Sequence, residues 1–327
     1  MLYAGLDIHK EYSQAVLSTK NGEILKEERI KSEKEDLEKF FSGFKNVKVV
    51  FEATCNYEYF FDILEPICTK IILAHPQKTR AIADARIKTD KIDARTLVHL
   101  LRANLIPTAF VPPKDIRELR KIVRHRIFLG RYRAQIKNRI RAELNRKGIK
   151  YPGKGLFALK GINWMNQLNS PFINSHITIY QSIDNEIKAS ELKINTIAQN
   201  YPDILLLNTI PGIGLYSAMV IYSEIGNINR FHSEDKLFSY AGLIPSVHQS
   251  GNNAYYGSIT KYGSKYLRWI LVETTRTHIR CCQESKLTKF YYRLKKHKPG
   301  NVAVIATARK MLQVIYHMLK NKSTFHY

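Results

Sequence analysis

Four carboxylates in the first hundred residues have the types and spacing of a metal site. Asp7 lies in the middle of an apolar run, where a carboxylate is costly unless it is paired or bound to metal. Glu52 directly follows a second apolar run at residues 47–51, and Asp90 and Asp93 are spaced to share one face of a helix. We expect these four acids to converge and to hold Mg²⁺, because hard cations prefer carboxylate oxygen.

Such a site is suited to phosphodiester chemistry. Two metal ions about 3.5–4 Å apart activate the attacking oxygen and stabilise the leaving oxygen. The alternative for any single acid is a solvated charge or a helix cap. For Asp7 that alternative is weaker, since it requires a buried and unpaired acid.

The elements that would position these acids belong to an α/β domain over residues 1–110. The dipeptide Asn21-Gly22 between two strand-like runs predicts a β-hairpin. Ser32 and Glu35 have the spacing of a capping box, which predicts a short helix after the hairpin. Runs at 47–51 and 71–74 predict buried strands. Strands alternating with helices after a hairpin indicate a mixed sheet covered by helices.

The charge of the chain indicates a polyanionic partner. Lys and Arg number 52 against 28 Asp and Glu, a formal net charge of +24. The excess is clustered at residues 114–150 and 261–298, which favours nucleic acid over a charge that serves only solubility. We find no signal peptide, membrane span or cysteine framework. The sequence therefore predicts a cytoplasmic protein with reduced thiols.

Residues 111–200 are expected to be helical. Residues 114–147 contain no proline and predict a long basic helix. A stripe of isoleucines at residues 173–197 has heptad-like spacing, which fits an antiparallel coiled-coil arm, a dimer seam or a plain helical bundle. The candidate nucleic-acid contacts on the basic helix are Arg117, Arg120, Arg124, Arg131, Arg133, Lys137 and Arg141.

Residues 201–327 are expected to be mostly α-helical. The run Ile210-Pro-Gly-Ile-Gly214 resembles the turn of a helix-hairpin-helix element, in which the amides of Gly212 and Gly214 would face a phosphate. An ordinary helix start would look the same. Residues 246–263 are rich in Ser, Gly, Asn and Tyr, which predicts a mobile loop.

The ordered motifs of the whole chain resemble one enzyme family. Asp7, Glu52-Ala-Thr-x-x-Tyr57 and Lys88-Thr-Asp-x-x-Asp-Ala94 are similar to the motifs of the DEDD transposases of bacterial insertion sequences. That family is the insertion sequence 110 family, which is related to the pilin-gene invertase. The similarity continues through Ile210–Gly214, Tyr240–Pro245, Gln249-Ser-Gly251 and Gly257–Arg268.

The resemblance implies a fold and a set of site residues. The first domain would have the ribonuclease H fold of Holliday-junction resolvases, with Asp7, Glu52, Asp90 and Asp93 binding two Mg²⁺ ions. Ser250 would be the nucleophile, activated by a base or metal. The family has an arginine shortly after the Ser-Gly pair, whereas Asn252 stands close behind it here. We therefore expect phosphate to be positioned by Lys261, Lys265 and Arg268.

The resemblance also implies an activity and partners. The chain is expected to be a transposase or recombinase that binds double-stranded DNA and a structured non-coding guide RNA. It would act as a dimer or tetramer in the bacterial cytoplasm, at the nucleoid. A metal-dependent nuclease or junction resolvase that uses water is the alternative. A non-enzymatic nucleic-acid-binding protein is a third hypothesis.

Overall fold

The chain divides into two compact units, Met1–Val111 and Pro112–Tyr327. The fold is that of a computed structural model, which describes residues 1–83, 89–250 and 253–326. The sequence predicts that the α/β domain ends at residue 110, and this assignment as a domain stays a prediction. The further division at residue 200 stays a prediction.

The first unit is a mixed α/β domain built on one five-stranded sheet. The strands lie in the order β3-β2-β1-β4-β5, antiparallel at the β1–β2 and β2–β3 pairs and parallel at the β1–β4 and β4–β5 pairs. Its elements are β1 (Leu2–Ile8), β2 (Tyr12–Ser18), β3 (Ile24–Lys31), α1 (Lys34–Phe41), β4 (Val47–Glu52), α2 (Tyr57–Leu64), β5 (Lys70–Ala74), α3 (Pro76–Ile82) and α4 (Asp90–Arg102).

The start of this unit confirms one local prediction and corrects another. The hairpin at Asn21-Gly22 is present, and Gly22 has the positive φ of 97° that the turn requires. The capping box is wrong, because α1 has Glu33 at its N-cap and no side-chain cap. Ser32 instead hydrogen-bonds within the tertiary structure, to the His9 carbonyl at 2.9 Å and the Ser13 hydroxyl at 2.8 Å.

The two faces of the sheet bury different residues of the same strands. Ala4 and Leu6 of β1 belong to a core that contains the apolar sides of α1 and α2. The alternate residues of β1 face α4, since side chains alternate along a strand. An ideal Cβ at Gly5 would lie 2.5 Å from the Ala94 carbonyl oxygen and 2.8 Å from Val98 Cγ2. Glycine at this position therefore lets α4 pack directly against the backbone of β1.

Replacing Gly5 by valine is expected to push α4 away from β1. Overpacking of this kind costs about 1–3 kcal/mol, and the start of α4 would move with the helix. Urea unfolding should show the lower stability, and the protein should gain less stability from added divalent metal than the wild type. Gly300→Ala is a suitable control, because no atom lies closer than 4.0 Å to its Cβ position. Wild-type stability and metal response in Gly5→Val would contradict the prediction.

The second unit is mostly helical. Its elements are α5 (Lys114–Arg146), α6 (Leu159–Gln167), α7 (Pro171–Ala198), α8 (Pro202–Asn208), α9 (Leu215–Ile225), α10 (Glu234–Ala241), β6 (Pro245–Ser250), β7 (Asn253–Ile259), α11 (Lys265–Cys281), α12 (Lys286–Lys295) and α13 (Gly300–Asn321). Of the helices in the described ranges, none has both the length and the apolar character that a membrane crossing needs.

The long basic helix is present as α5, and it packs against α7. Arg126 pairs with Glu191 and Arg133 with Asp184, so positions advance along one helix as they recede along the other. The two helices are therefore antiparallel within one chain. Ile187, like Ile173 and Ile194, is at most 2% exposed here. The prediction that this stripe is a dimer seam is wrong for these residues, since the chain itself covers them.

The prediction of a loop at residues 246–263 is wrong for residues 246–250 and 253–259, because these residues lie in strands β6 and β7. Strands β6 and β7 form an antiparallel ladder in which Val247 pairs with Tyr256 and Gln249 with Ala254. The base of this hairpin is held by the backbone, because the Thr260 N–H donates to the Ile244 carbonyl at 2.9 Å. The polar composition that indicated a loop is thus the composition of a two-stranded ribbon.

Candidate metal centre

Asp7 and Glu52 occupy neighbouring positions at the carboxyl ends of two parallel strands. Leu6 of β1 pairs with Phe51 of β4, so Asp7 and Glu52 take the next position on each strand. Leu6 and Phe51 both belong to the core under α1 and α2. Because side chains alternate, Asp7 and Glu52 are directed to the opposite face, on which α4 lies.

The first turn of α4 brings two more acids to this face. The Thr89 side chain caps the helix by accepting a hydrogen bond from the Ile92 N–H at 3.2 Å. Asp90 and Asp93 follow in the first turn, where the positive end of the helix dipole favours carboxylates. The close packing of α4 at Gly5 sets how near these acids come to β1.

The closest group at this site consists of Asp7, His9 and Asp90. One ligand atom from each lies within 4.8 Å of the others. His9 Nε2 is 3.1 Å from Asp7 Oδ2 and 3.5 Å from Asp90 Oδ1. These separations resemble the spacing of about 3 Å between adjacent ligands of one ion, given metal–oxygen bonds of about 2.1 Å.

Tyr12 holds Asp90 from the neighbouring strand. Its hydroxyl donates to Asp90 Oδ2 at 3.1 Å, and this hydrogen bond is the largest cause of the raised pKa of Tyr12. The centroid of the Tyr12 ring lies 4.8 Å from that of the His9 ring, and the Arg29 guanidinium lies 3.5 Å from the Tyr12 centroid. Tyr12 thus fixes one carboxylate oxygen while it packs against two basic side chains.

Burial and the negative charges of Asp90 and Asp93 make it harder for Asp7 to ionise. Burial is the largest cause of the raised pKa of Asp7. His9 lowers this pKa by its charge and hydrogen bond, whereas the charges of Asp90 and Asp93 raise it again. A bound divalent cation would relieve this repulsion. The donor set, two carboxylates and one imidazole in a half-buried group, therefore fits a divalent metal.

The structure assigns different places to the four predicted acids. Asp7 and Asp90 belong to the close group, and Asp93 is near enough to affect the pKa of Asp7. Glu52 shares their face through strand register and is half-buried. His9 is the residue that sequence reasoning missed. The alternation Asp-Ile-His, which places both side chains on one face of a strand, was the available signal.

Ser250 is the last residue of β6, and its backbone pairs with Asn253 of β7. Its side chain, together with Gly251 and Asn252, lies outside the described residues, as does Lys88 of the second acidic motif. Its role as nucleophile therefore stays a prediction. The structure adds that the serine ends a strand of an ordered hairpin at its backbone.

Of the first three cations predicted to bind nucleic acid on α5, Arg117 is buried, and Arg120 and Arg124 make contacts inside the second unit. Arg117 is 5% exposed. Arg120 donates to the backbone carbonyls of Ser223 and Glu224, at 2.7 and 2.8 Å. Arg124 donates through Nε and Nη2 to the carboxylate of Glu224, which is fully buried. The guanidinium groups of Arg120 and Arg124 hold α5 against the end of α9.

The remaining predicted contacts on α5 are placed more openly. Arg131 is exposed, and its guanidinium lies 5.9 Å from the Tyr266 ring centroid. Arg133 pairs with Asp184 at 2.7 Å. Lys137 and Arg141 lie over the Phe157 ring, at 5.0 and 5.1 Å from its centroid. Contact with nucleic acid stays a prediction for all seven residues.

The remaining candidates lie in the first turn of α11 or in turns of the second unit outside that helix. Gly212 has a φ of 91°, and an ideal Cβ there would lie 2.7 Å from the backbone nitrogen of His278. Gly214 is the N-cap of α9, with open space at its Cβ position. Lys261 is exposed before α11, and Lys265 is the first residue of that helix. Arg268 Nη1 donates to the Ala241 carbonyl at 3.0 Å.

Two family models match separate parts of the chain. A DEDD transposase model of the IS110 type matches residues 4–148, which include all four acids and His9. A second model, described as the transposase family IS116/IS110/IS902, matches residues 205–292, which include the β6–β7 hairpin. The matched segments lie in the order and at the spacing of the motifs quoted above.

Curated relatives are similar along most of their length. The transposase for insertion sequence element IS1111A of Coxiella burnetii is 24% identical over 98% of this chain and 90% of its own length. The transposase for IS1328 of Yersinia enterocolitica is 23% identical over 98% and 97%. The transposase for IS1533 of Leptospira borgpetersenii is 28% identical over 69% and 70%. The chain belongs to the IS110 family of insertion-sequence transposases.

Proposed function

We propose that this transposase cuts and rejoins DNA with a Mg²⁺-binding acidic centre and Ser250 as nucleophile. The observation that carries the proposal is the group formed by Asp7, His9 and Asp90, with Asp93 and Glu52 on the same face. Half-buried carboxylates that repel one another are costly to keep without a function. The ribonuclease H-like fold that the resemblance implies is part of the proposal.

Each residue of the centre has a distinct task. Asp7, Glu52, Asp90 and Asp93 would hold two divalent ions, and His9 would add a nitrogen ligand to the group. When bound, the ions supply charge stabilisation to both oxygens exchanged at a phosphodiester. Tyr12 keeps Asp90 oriented through its 3.1 Å hydrogen bond. Arg29, which lies over Tyr12, brings a positive charge for the phosphate next to the acids.

Ser250 would carry the strand through a covalent intermediate. Its hydroxyl oxygen forms a bond to phosphorus, its proton passes to a base, and the bond from phosphorus to one DNA oxygen breaks. The leaving DNA oxygen takes up a proton as a hydroxyl. Attack by a hydroxyl of the recombining strand then reverses these steps. The phosphoserine link conserves the energy of the phosphodiester bond, so no external energy source is needed.

The partners of the reaction are part of the same proposal. Double-stranded DNA, the element ends and the target, would contact the exposed cations of the second unit. A structured non-coding RNA would guide the choice of site. Exchange between two duplexes requires several active sites, so we propose a dimer or tetramer. Its interface would lie outside the isoleucine stripe that α5 and α7 cover.

A trapping experiment tests the serine step. Wild-type protein is incubated with labelled cognate DNA, its guide RNA and Mg²⁺, then denatured and analysed for label on the protein. We expect a labelled adduct in the wild type and none in Ser250→Ala, with Ser246→Ala in the same strand as the matched control. Cleavage by Ser250→Ala at the wild-type rate, without any adduct, would support hydrolysis by water and overturn the serine mechanism.

A further inference from the structure

A cavity of about 680 Å³ lies between α12, α13 and residues 323–326, in the second unit. It contains neither the acids of the metal centre nor the hairpin that carries Ser250. Its floor is formed by apolar side chains and its rim by basic ones. The floor residues are Leu287, Phe290, Val314, Met318 and Phe325, and the rim residues are Lys286, Lys289, Arg293, Lys310, His317 and His326.

The floor is held in place by the surrounding core. Leu287 and Met318 are 6% and 4% exposed and belong to the main core of the unit. Phe325 is fixed from outside the cavity, because its N–H donates to Thr209 Oγ1 at 3.2 Å. Its ring packs edge-on against the buried His278 ring, with centroids 5.8 Å apart. The cavity is therefore a pre-formed apolar surface.

The rim selects for an anion. Among the described residues that line the cavity, none is an Asp or Glu. Lys289 is 65% exposed at its side chain, and Arg293 and Lys310 are exposed as well. Lys289 pairs with Glu284 at 3.2 Å and His317 with Glu234 at 3.0 Å, but neither carboxylate belongs to the lining, so the like charges of the rim are not balanced inside the cavity. A ligand that neutralises them gains from the release of counterions.

Polar groups between the floor and the rim are suited to reading a planar ligand. Gln313 is oriented by two hydrogen bonds, since its Nε2 donates to Glu234 Oε1 at 2.7 Å and Lys310 Nζ donates to its Oε1 at 3.0 Å. Ser323 and Thr324 add hydroxyl groups to the lining. The Arg293 guanidinium, which is a flat cation, lies 5.4 Å from the Phe290 ring centroid, so this ring already packs against one flat group.

A second cavity continues the first along α13. It has a volume of about 330 Å³ and shares Phe290, Lys310 and Gln313 with the larger cavity. Glu234 and Arg309 also line the second cavity, so the cavity without an acid among its described lining residues is the larger one. The two volumes together leave room for a flat ring and for part of the chain that carries it.

We propose that this groove binds a single-stranded nucleic-acid segment, with an unpaired base in the cavity and the adjoining phosphates on the rim. A base would stack at Phe290 and hydrogen-bond at Gln313, and Lys289 and Arg293 would contact phosphate. Unpaired bases on an aromatic surface inside a basic groove are the usual mode of single-strand binding. The proposal concerns binding only, so it depends on neither the metal centre nor Ser250.

Fluorescence anisotropy with the full-length protein tests the proposal. The probes are labelled single-stranded 12-mers of uridine and of deoxythymidine, in EDTA, so that no cleavage occurs. We expect the double variant Lys289→Glu/Arg293→Glu to lose at least about tenfold in affinity. The matched control, Lys296→Glu/Lys298→Glu, carries the same charge change just outside the lining and should lose less than about threefold. Equal losses in the two variants would overturn the proposal.

A second variant separates stacking from charge. Phe290→Ala should lower affinity by about 5- to 100-fold, the range for one stacked base, and leave the slope of log Kd against log salt unchanged. The ratio of the two probes shows whether ribose or deoxyribose is preferred. Displacement of the probe by an acidic amphipathic peptide but not by unlabelled 12-mer would overturn the proposal in favour of a protein ligand. The measurement is made in EDTA and without cleavage, so a failed serine mechanism would not affect this result.

Discussion

Replacing Asp7 by asparagine is expected to abolish DNA cleavage and to make the metal-free protein more stable. The folded state raises the pKa of Asp7 above 3.8, mainly through burial, so the ionised form opposes folding at neutral pH. A neutral amide of the same shape removes that cost and the repulsion from Asp90. Loss of a metal ligand should reduce activity by more than the about 10- to 100-fold typical of a lost supporting partner.

A cleavage assay on cognate DNA measures the loss of activity, and thermal unfolding with and without Mg²⁺ or Mn²⁺ measures the stability and its response to metal. The wild type should gain stability from metal, and Asp7→Asn should start higher in EDTA and gain little. His9→Gln is the informative companion, because it keeps the carboxylates and removes the imidazole. It should weaken the binding of Mn²⁺ more than the binding of Mg²⁺, since imidazole is a better ligand for transition metals. A metal response of Asp7→Asn equal to that of the wild type would show that the ions bind elsewhere.

Replacing Arg124 by methionine is expected to destabilise the second unit by about 3–5 kcal/mol, the cost of leaving a buried carboxylate without its partner. Glu224 has no exposed side-chain surface, and Arg124 supplies two of its hydrogen bonds. Ser264 Oγ donates the third at 2.8 Å, and the same serine caps α11. The loss should therefore extend from α5 to the start of α11.

Urea unfolding of two further variants makes this prediction specific. Arg131 is exposed and lies about two turns further along the same helix. Arg131→Met should therefore change the free energy of unfolding by less than about 0.5 kcal/mol. Adding Glu224→Gln to Arg124→Met should restore part of the loss, because the amide carries no uncompensated charge. Full stability of Arg124→Met, together with weaker DNA binding, would instead favour the nucleic-acid role that the sequence predicts for Arg124.

Local signals in the sequence predicted much of the fold. Asn21-Gly22 is a turn by its own backbone preferences, and Asp90 and Asp93 share a helix face at their spacing alone. Ser32 was wrongly predicted to cap α1, because its hydroxyl instead hydrogen-bonds to His9 and Ser13 on other segments. The β6–β7 hairpin was missed because its ladder depends on pairing across the turn, and its composition is that of a loop.

The same distinction between local signals and long-range contacts holds for the candidate site. Its four acids could be recognised from apolar context and spacing, as could the excess of basic residues. The role of His9 depends on Asp90, which is close in space and far along the chain. The burial of Arg120 and Arg124 depends on Glu224, an acid that no local pattern distinguishes. Long-range pairing of charges was therefore the part that sequence reasoning could not reach.

Helix α5 has a mechanical consequence. It is one unbroken element of 33 residues, about 50 Å long at 1.5 Å per residue. Ile116 and Val123 anchor its first half in the main core, and Ile140 and Leu144 anchor its last turns in a separate core. A continuous helix does not shorten, so α5 fixes the distance between the two cores. Its length equals about 15 base pairs of a straight duplex, and a tilt imposed at one end must reach the other.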